Sequence, residues 1–475
     1  MQISFNKNSS EGIYTGNKII FGVCIALTFF LAIILRQFGF NHITLGLLIG
    51  LPVIGLFLFS FETFLILFIF SLFINYDALM FTVVTLLAVP LFISYLITST
   101  GINVKSLKNA LTFPFLIYLF TMLPSLINSI NIPLSIYLMF NLFAMVLTFH
   151  ILAERIETQE KIKKYLYVFI TICAINGMDI FLQFFTNGGR VFGFTGIVFV
   201  DYSSMAILAA LIFFIFSKSV NKYSYLLLSL FLLTALIFTQ TRNTLISLGL
   251  SFLTLIVYLI KENKLFSLDR KRIISFFIIT IIICVLFAVG IILYAPEIFK
   301  RFTNLTAYNQ MFVVGKSSVG VNSTLVTRVL IWLTAYNAFI QHPIIGIGAF
   351  AFPFSSHLYY TIPTILFKIY VEGLSTHITF LSTLTETGII GTIGFLIFLI
   401  TSLRIGFKSV KLSFSDNERI LSVVILFLQI YIFFSMFMTD AWLWGQCGMV
   451  WGFILGLSLA NYKILLQKAS VSNVQ

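Results

Sequence analysis

Long apolar runs, separated by short polar breaks, recur along this chain from one end to the other and leave few folds open to it. About fourteen runs are long enough to cross a bilayer, which takes roughly 17–25 residues of helix. They lie near 19–35, 43–60, 62–76, 79–99, 107–126, 132–153, 164–186, 198–217, 223–241, 243–260, 273–295, 379–403, 419–438 and 446–463. The second and third are joined so tightly that they can form one re-entrant pair. Hydrocarbon offers no partner to a backbone N–H or C=O, so segments of this length cross as helices. Charged residues are 9% of the 475, whereas soluble domains carry roughly 25%. The expected fold class is an all-α integral membrane protein with about 12–14 transmembrane helices and one large extracytoplasmic loop containing short amphipathic helices.

The formal net charge is +13. In a soluble protein that surplus would raise nucleic acid as a partner; here it reads as Lys and Arg retained on one membrane side, and no nucleic-acid partner is expected. Counted on alternating sides, 21 of the 29 basic residues share the side of the termini, and eight face the other way: Arg36, Arg190, Arg242, Lys300, Arg301, Lys316, Arg328 and Lys368. That bias puts both termini in the cytoplasm and calls for an even number of spans. The cysteines, Cys24, Cys173, Cys284 and Cys447, all sit in apolar stretches with no CxxC pair, so they read as small buried hydrophobes, not disulfides or metal ligands. No small-residue cleavage signature follows the first apolar run, which reads as an uncleaved helix.

One connection differs from the rest. Residues 296–378 lie between two strong spans and face outside by the charge count. Connections this long are usually functional or disordered, and this one holds Trp332, several Tyr and Phe, and an apolar-periodic stretch from Leu325 to Ile340. Packed helices at the membrane surface are expected there. Around it the chain divides into N-terminal spans (1–189), a motif-bearing region (190–403) and C-terminal spans with a tail (404–475). No internal repeat is apparent.

Within the motif-bearing region, Arg242 stands in a short polar break, Thr239-Gln-Thr-Arg-Asn-Thr, between two apolar spans. An Arg near membrane depth costs about 2.5–3.5 kcal/mol at a helix centre and so pairs with something. It is either a snorkelling interface residue or an anion site, since guanidinium grips phosphate through two parallel bonds. Arg190 follows Asn187-Gly-Gly; a glycine turn lets backbone approach a ligand and is also what a plain turn looks like. Arg328 lies on the periodic stretch, four residues before Trp332, and His342-Pro-Ile-Ile-Gly-Ile-Gly348 then ends that helix in a tight turn. His377 sits just before a span, nine residues ahead of Glu386; it reads as an interfacial histidine or as a general base. A zinc site from His342, His357 and His377 matches no local ligand spacing, and no metal is expected. Gly388, Gly391 and Gly394 read as a small face for close helix packing. Asp201 and Asp440 near outer helix ends are both eligible as the partner of a site arginine, and the sequence does not choose between them. Three arginines and a histidine on a side otherwise poor in positive charge need a common reason, and a diphosphate at the membrane surface supplies one.

These features together resemble the O-antigen ligase and polymerase superfamily of bacterial envelope glycosyltransferases. The resemblance rests on the Thr-Gln-Thr-Arg242-Asn break, on Arg328-x-x-x-Trp332 with His-Pro343-Ile-Ile-Gly346-Ile-Gly348, on His377 with Glu386-Thr-Gly388-Ile-Ile-Gly391, and on many spans with one large late loop. It covers about residues 190–403. Where the family has Asn after the histidine, this chain has Ile378. The resemblance implies transfer of a glycan from undecaprenyl diphosphate to an acceptor hydroxyl, with no metal and no cofactor, at the outer face of the bacterial inner membrane. Arg242 and Arg328, with Arg190 as a further member, would bind the diphosphate; His377 would deprotonate or orient the hydroxyl; Glu386 and Trp332 would support. The expected partners are the lipid-linked donor, an acceptor glycan lipid and membrane lipids, with a chain-length regulator protein as a candidate. A polymerase, whose acceptor is another lipid-linked repeat unit, is preferred because a large loop must hold two glycans. The alternatives are a ligase acting on lipid A-core and, from another class, a flippase or transporter. A flippase would carry internal repeats and broken helices in both halves, and the sequence displays neither.

Overall fold

The computed structural model describes residues 109–262 and 324–472, apart from 188, 218–221 and 444, together with 65, 66, 69, 72 and 266. The expected spans before residue 100 and at 273–295 lie outside the described residues, apart from those isolated positions, as do Cys24, Cys284, Lys300, Arg301 and Lys316. Among the described residues there is no strand, and the chain is α-helical with short 3₁₀ turns. The order is α1 (Thr112–Met122), α2 (Ile132–Arg155), α3 (Gln159–Asn187), α4 (Phe199–Phe216), α5 (Lys222–Phe238) and α6 (Arg242–Lys261). After the gap come α7 (Thr324–Gln341), the short α8 (Phe352–Ser355) and α9 (Thr364–Tyr370), and then α10 (Thr379–Leu412), α11 (Asp416–Ser435) and α12 (Gly445–Ser472).

Among the described residues, five helices are long and apolar enough to cross a membrane: Gln159–Thr186, Arg242–Lys261, Thr379–Leu412, Asp416–Ser435 and Cys447–Val471. They coincide with the spans expected near 164–186, 243–260, 379–403, 419–438 and 446–463. The shorter apolar helices Thr112–Asn128, Val200–Phe216 and Lys222–Phe238 fall on three more. Within the bundle α11 and α12 are the most enclosed of the long helices, 78% and 83% buried along their apolar windows, against 39–44% for α3, α6 and α10. The first pair is therefore the axis, and the other three leave apolar surface outward. α12 packs along α2, α4 lies against α5 and α11, and α10 touches α1, α11 and α12. An aromatic layer fills the α1–α10–α12 junction, with ring centroids 5.4 Å apart for Tyr118 and Phe395 and 5.5 Å for Phe398 and Trp451. Such offset and tilted pairs add about 0.5–1.5 kcal/mol beyond their burial. Ser415 caps α11 in a capping box with Glu418, which also takes Lys468 of α12 as an ion-pair partner.

The stretch 324–378 folds largely as its pattern requires. α7 buries Ile331, Ala335 and Ala338 in a small second core with Ile347, Phe352 and Phe367, and it leaves Val329, Leu333, Tyr336 and Ile340 exposed on another face. It docks on α10. The glycine reading needs a correction here. Gly394 is a close-packing position, since a Cβ there would strike the Thr121 side chain of α1. Gly388 does something else: with φ 63° and ψ −167° it interrupts α10, in a region of backbone space open essentially to glycine alone. The turn after α7 fills the break. Ile347 and Gly348 N–H donate to the Thr385 and Glu386 carbonyls at 3.2 and 3.0 Å, and Ile389 and Ile390 N–H donate to Pro343 and Ile344 at 2.9 and 3.2 Å. A Cβ on Gly388 or on Gly346 would collide with the other segment's backbone. The long helix α10 is thus broken at Gly388, where no break was expected from sequence.

Candidate functional site

The site forms where the starts of α6 and α10 meet the turn between α11 and α12. The residues of that turn, 436–440, act as a common frame. The Thr379 N–H, in the first turn of α10, donates to the Met436 and Thr439 carbonyls at 2.9 and 3.1 Å, and its hydroxyl donates to Thr439 at 2.7 Å. The Asn243 side chain, next to Arg242, donates to the Met438 carbonyl at 3.3 Å. The His377 N–H donates to Asp440 Oδ2 at 3.2 Å. Neither α6 nor α10 has a side-chain N-cap, and at α10 the turn's carbonyls take up the first amide, which would otherwise lack a partner.

Arg242, Arg328 and His377 arrive from three different elements. Arg242 opens α6, two residues after Gln240, whose φ is 53°. A cation at the positive end of a helix dipole is unfavourable by itself and becomes favourable with an anion beside it. Arg328 comes from α7, and Trp332 one turn on donates its indole N–H to the Thr376 carbonyl at 3.1 Å. The i, i+4 spacing therefore lets one helix face present the guanidinium and hold the residue preceding the histidine. His377 itself has φ 57°, a left-handed conformation rare for a residue with a Cβ; strain of this kind collects at functional sites. Burial lowers the Arg328 pKa, with the Asp440 charge opposing and the Arg242 charge adding to the effect. Burial likewise lowers His377 below its ordinary value near 6.5, against Asp440 and together with Arg328. Burial and Arg328 both favour the neutral imidazole.

Asp440, and not Asp201, is the acid of this cluster. Asp201 is buried in α4, where it accepts hydrogen bonds from the Tyr431 and Ser435 hydroxyls at 2.6 and 2.9 Å. Glu386 is 3% exposed and accepts the Phe352 N–H at 3.2 Å, which fixes the start of α8 against α10. Arg190 is exposed, with its Nε donating to the Thr239 carbonyl at 3.0 Å and its guanidinium 4.4 Å above the Phe192 ring. It thereby braces the polar break that carries Arg242. His342 lies against Asn128, 3.3 Å from its side-chain nitrogen, and against the Tyr359 ring, while His357 is exposed. Among the described residues, no group of three His, Cys, Asp or Glu is arranged to hold a metal ion. In the sequence Asn243 stood out only as part of the Arg242 break and Asp440 only as a candidate partner of an arginine; Thr379 and the carbonyls of the 436–440 turn gave no signal of their own.

Residues 227–396 match the sequence model of a family described as O-Antigen ligase. Over this segment the chain carries that family's domain, which supports the O-antigen ligase and polymerase superfamily. No curated protein matches the chain. The apolar helices and this family match together indicate a multi-pass membrane protein, and the matched family's members are glycosyltransferase-like membrane enzymes. The superfamily segment contains Arg242, Arg328, His377 and Glu386; Arg190 and Asp440 lie outside it.

Proposed function

We propose that the protein is a surface-polysaccharide polymerase of the inner membrane, transferring a glycan from undecaprenyl diphosphate to the hydroxyl of a second lipid-linked repeat unit. The observation that carries this reading is the meeting of Arg242, Arg328 and His377, from three segments, around the 436–440 turn. Arg242 and Arg328 bind the diphosphate as paired forks and neutralise the charge that grows on it as it leaves. The acceptor oxygen attacks the anomeric carbon, the bond from that carbon to the diphosphate oxygen breaks, and the hydroxyl proton passes to His377. Arg190 acts from behind by holding the Arg242 segment. The α7–α9 region covers the sugars and limits water, which would otherwise compete as acceptor. The active site faces away from the cytoplasm and both termini lie in it.

A ligase that delivers the glycan to lipid A-core uses the same donor chemistry, and the matched family's description carries that name. Surface glycans of a deletion strain separate the two readings. Loss of long chains with a single repeat unit retained supports the polymerase. Loss of every repeat, with lipid-linked polymer accumulating, replaces it with the ligase. Unchanged surface glycans overturn both.

A further inference from the structure

We propose that Asp440 is a positioning residue of this site: its carboxylate holds the His377 backbone in its left-handed turn and balances the charges of Arg328 and the imidazole. This rests on the glycosyltransferase reading for its consequence in catalysis, and on geometry alone for its physical content. Asp440 is 6% exposed, and a carboxylate so enclosed needs a reason. Its Oδ2 accepts the His377 N–H at 3.2 Å, which ties down a conformation that L-residues rarely adopt. The same 436–440 turn takes the Thr379 N–H and the Asn243 side chain, so one short segment registers the histidine against the arginine of α6.

The charged groups around His377 come from every side of the site. Asp440 faces it from the turn after α11 and Arg328 from α7; Arg242 of α6 faces Arg328 in turn, and Glu386 of α10 faces Asp440. Among the described residues, Asp440 acts to raise the proton affinity of His377, while burial and Arg328 lower it. Removing that one negative charge must therefore drive the histidine pKa further down.

The test is the titration of His377 in the full-length protein in detergent micelles. Its NMR signal is identified by difference from His377→Gln, since four other histidines remain of the five. Asp440→Asn keeps an oxygen to accept the amide but loses the charge, and the His377 inflection is expected to fall by about one pH unit. Asp440→Glu, which keeps the charge, should leave the inflection near that of the wild type. The acid limb of the transfer rate should follow the same order, and Asp440→Ala should also slow transfer at its pH optimum by about tenfold. A His377 inflection unchanged in Asp440→Asn, or one lowered equally in Asp440→Glu, overturns the proposal. A wild-type protein that transfers no glycan yet gives the expected titrations would remove the functional reading and leave Asp440 in its role.

Discussion

At the scale of single residues, the site joins two cations and a base whose ordinary tendencies are to stay apart. Two guanidinium groups facing one another repel, and an anion between them turns that repulsion into binding. Arg242→Ala and Arg328→Ala should therefore each lower transfer by about 10²–10³ while the protein still inserts. Arg242→Lys should rescue little, because an ammonium cannot reproduce the planar fork. Purified protein assayed with a lipid-linked donor decides this, and full activity in both alanine variants would remove the diphosphate site. His377→Ala should cost about 10²–10⁴ in rate, the usual share of a general base, while His342→Ala and His357→Ala cost far less. In the proposed role His377 would work in its neutral form. Because burial lowers the His377 pKa, activity should hold through pH 6.5 and fall only at a lower pH, in a profile that loses its acid limb in His377→Ala. Chelators should leave the rate unchanged if, as proposed, Arg242 and Arg328 neutralise the leaving diphosphate.

At the scale of elements, the break in α10 explains how a loop and a membrane helix become one unit. The α7–α8 turn and the two halves of α10 exchange four backbone hydrogen bonds across Gly388, and satisfied backbone is what allows an interruption in an apolar bundle. Gly388→Ala should sharply lower the melting temperature in detergent, because its backbone region strains any Cβ by about 1–3 kcal/mol and the added carbon also meets the Ile344 carbonyl. Gly249→Ala is the matched control: its Cβ would enter open space on α6, and the substitution should be neutral or stabilising by up to about 1 kcal/mol. Glu386→Ala would leave the Phe352 N–H without its side-chain acceptor and should cost about 1–3 kcal/mol, with Glu386→Gln milder because an amide oxygen still accepts. Equal melting temperatures for the Gly388 and Gly249 variants would show that the break is not needed for stability.

At the scale of the whole molecule, orientation is the remaining quantity with a direct test. In a cysteine-free background, a Cys placed at the exposed Lys368 should react with a reagent that cannot cross membranes, and one at the exposed Lys411 should not. The reverse pattern would turn the molecule over and remove the extracytoplasmic site. Much of the architecture was legible beforehand because bilayer thickness imposes a length on each span, and apolar runs record that length directly. The helices α2 to α6 and α11 begin and end within about five residues of their expected limits for this reason, whereas α10 and α12 start where expected and run nine residues further, to Leu412 and Ser472; Leu325–Ile340 declared α7 by its period. Arg242, Arg328 and His377 were legible as charges that a membrane protein must justify. What sequence could not decide was which groups meet. Asp201 and Asp440 are alike as residues near the ends of apolar helices, and only the packing of α4 on α11 hands the first to Tyr431 and Ser435 and leaves the second for Arg328 and His377. Gly388 was read as one of three packing glycines because spacing carries no information about φ; the break exists only where a turn from a distant segment brings the carbonyls and amides that satisfy it. The sequence by itself determined the helices and the cost of each charge, since both follow from local transfer into lipid. The tertiary structure alone decided the partners, because hydrogen bonds and charge pairs depend on distances between segments far apart in the chain.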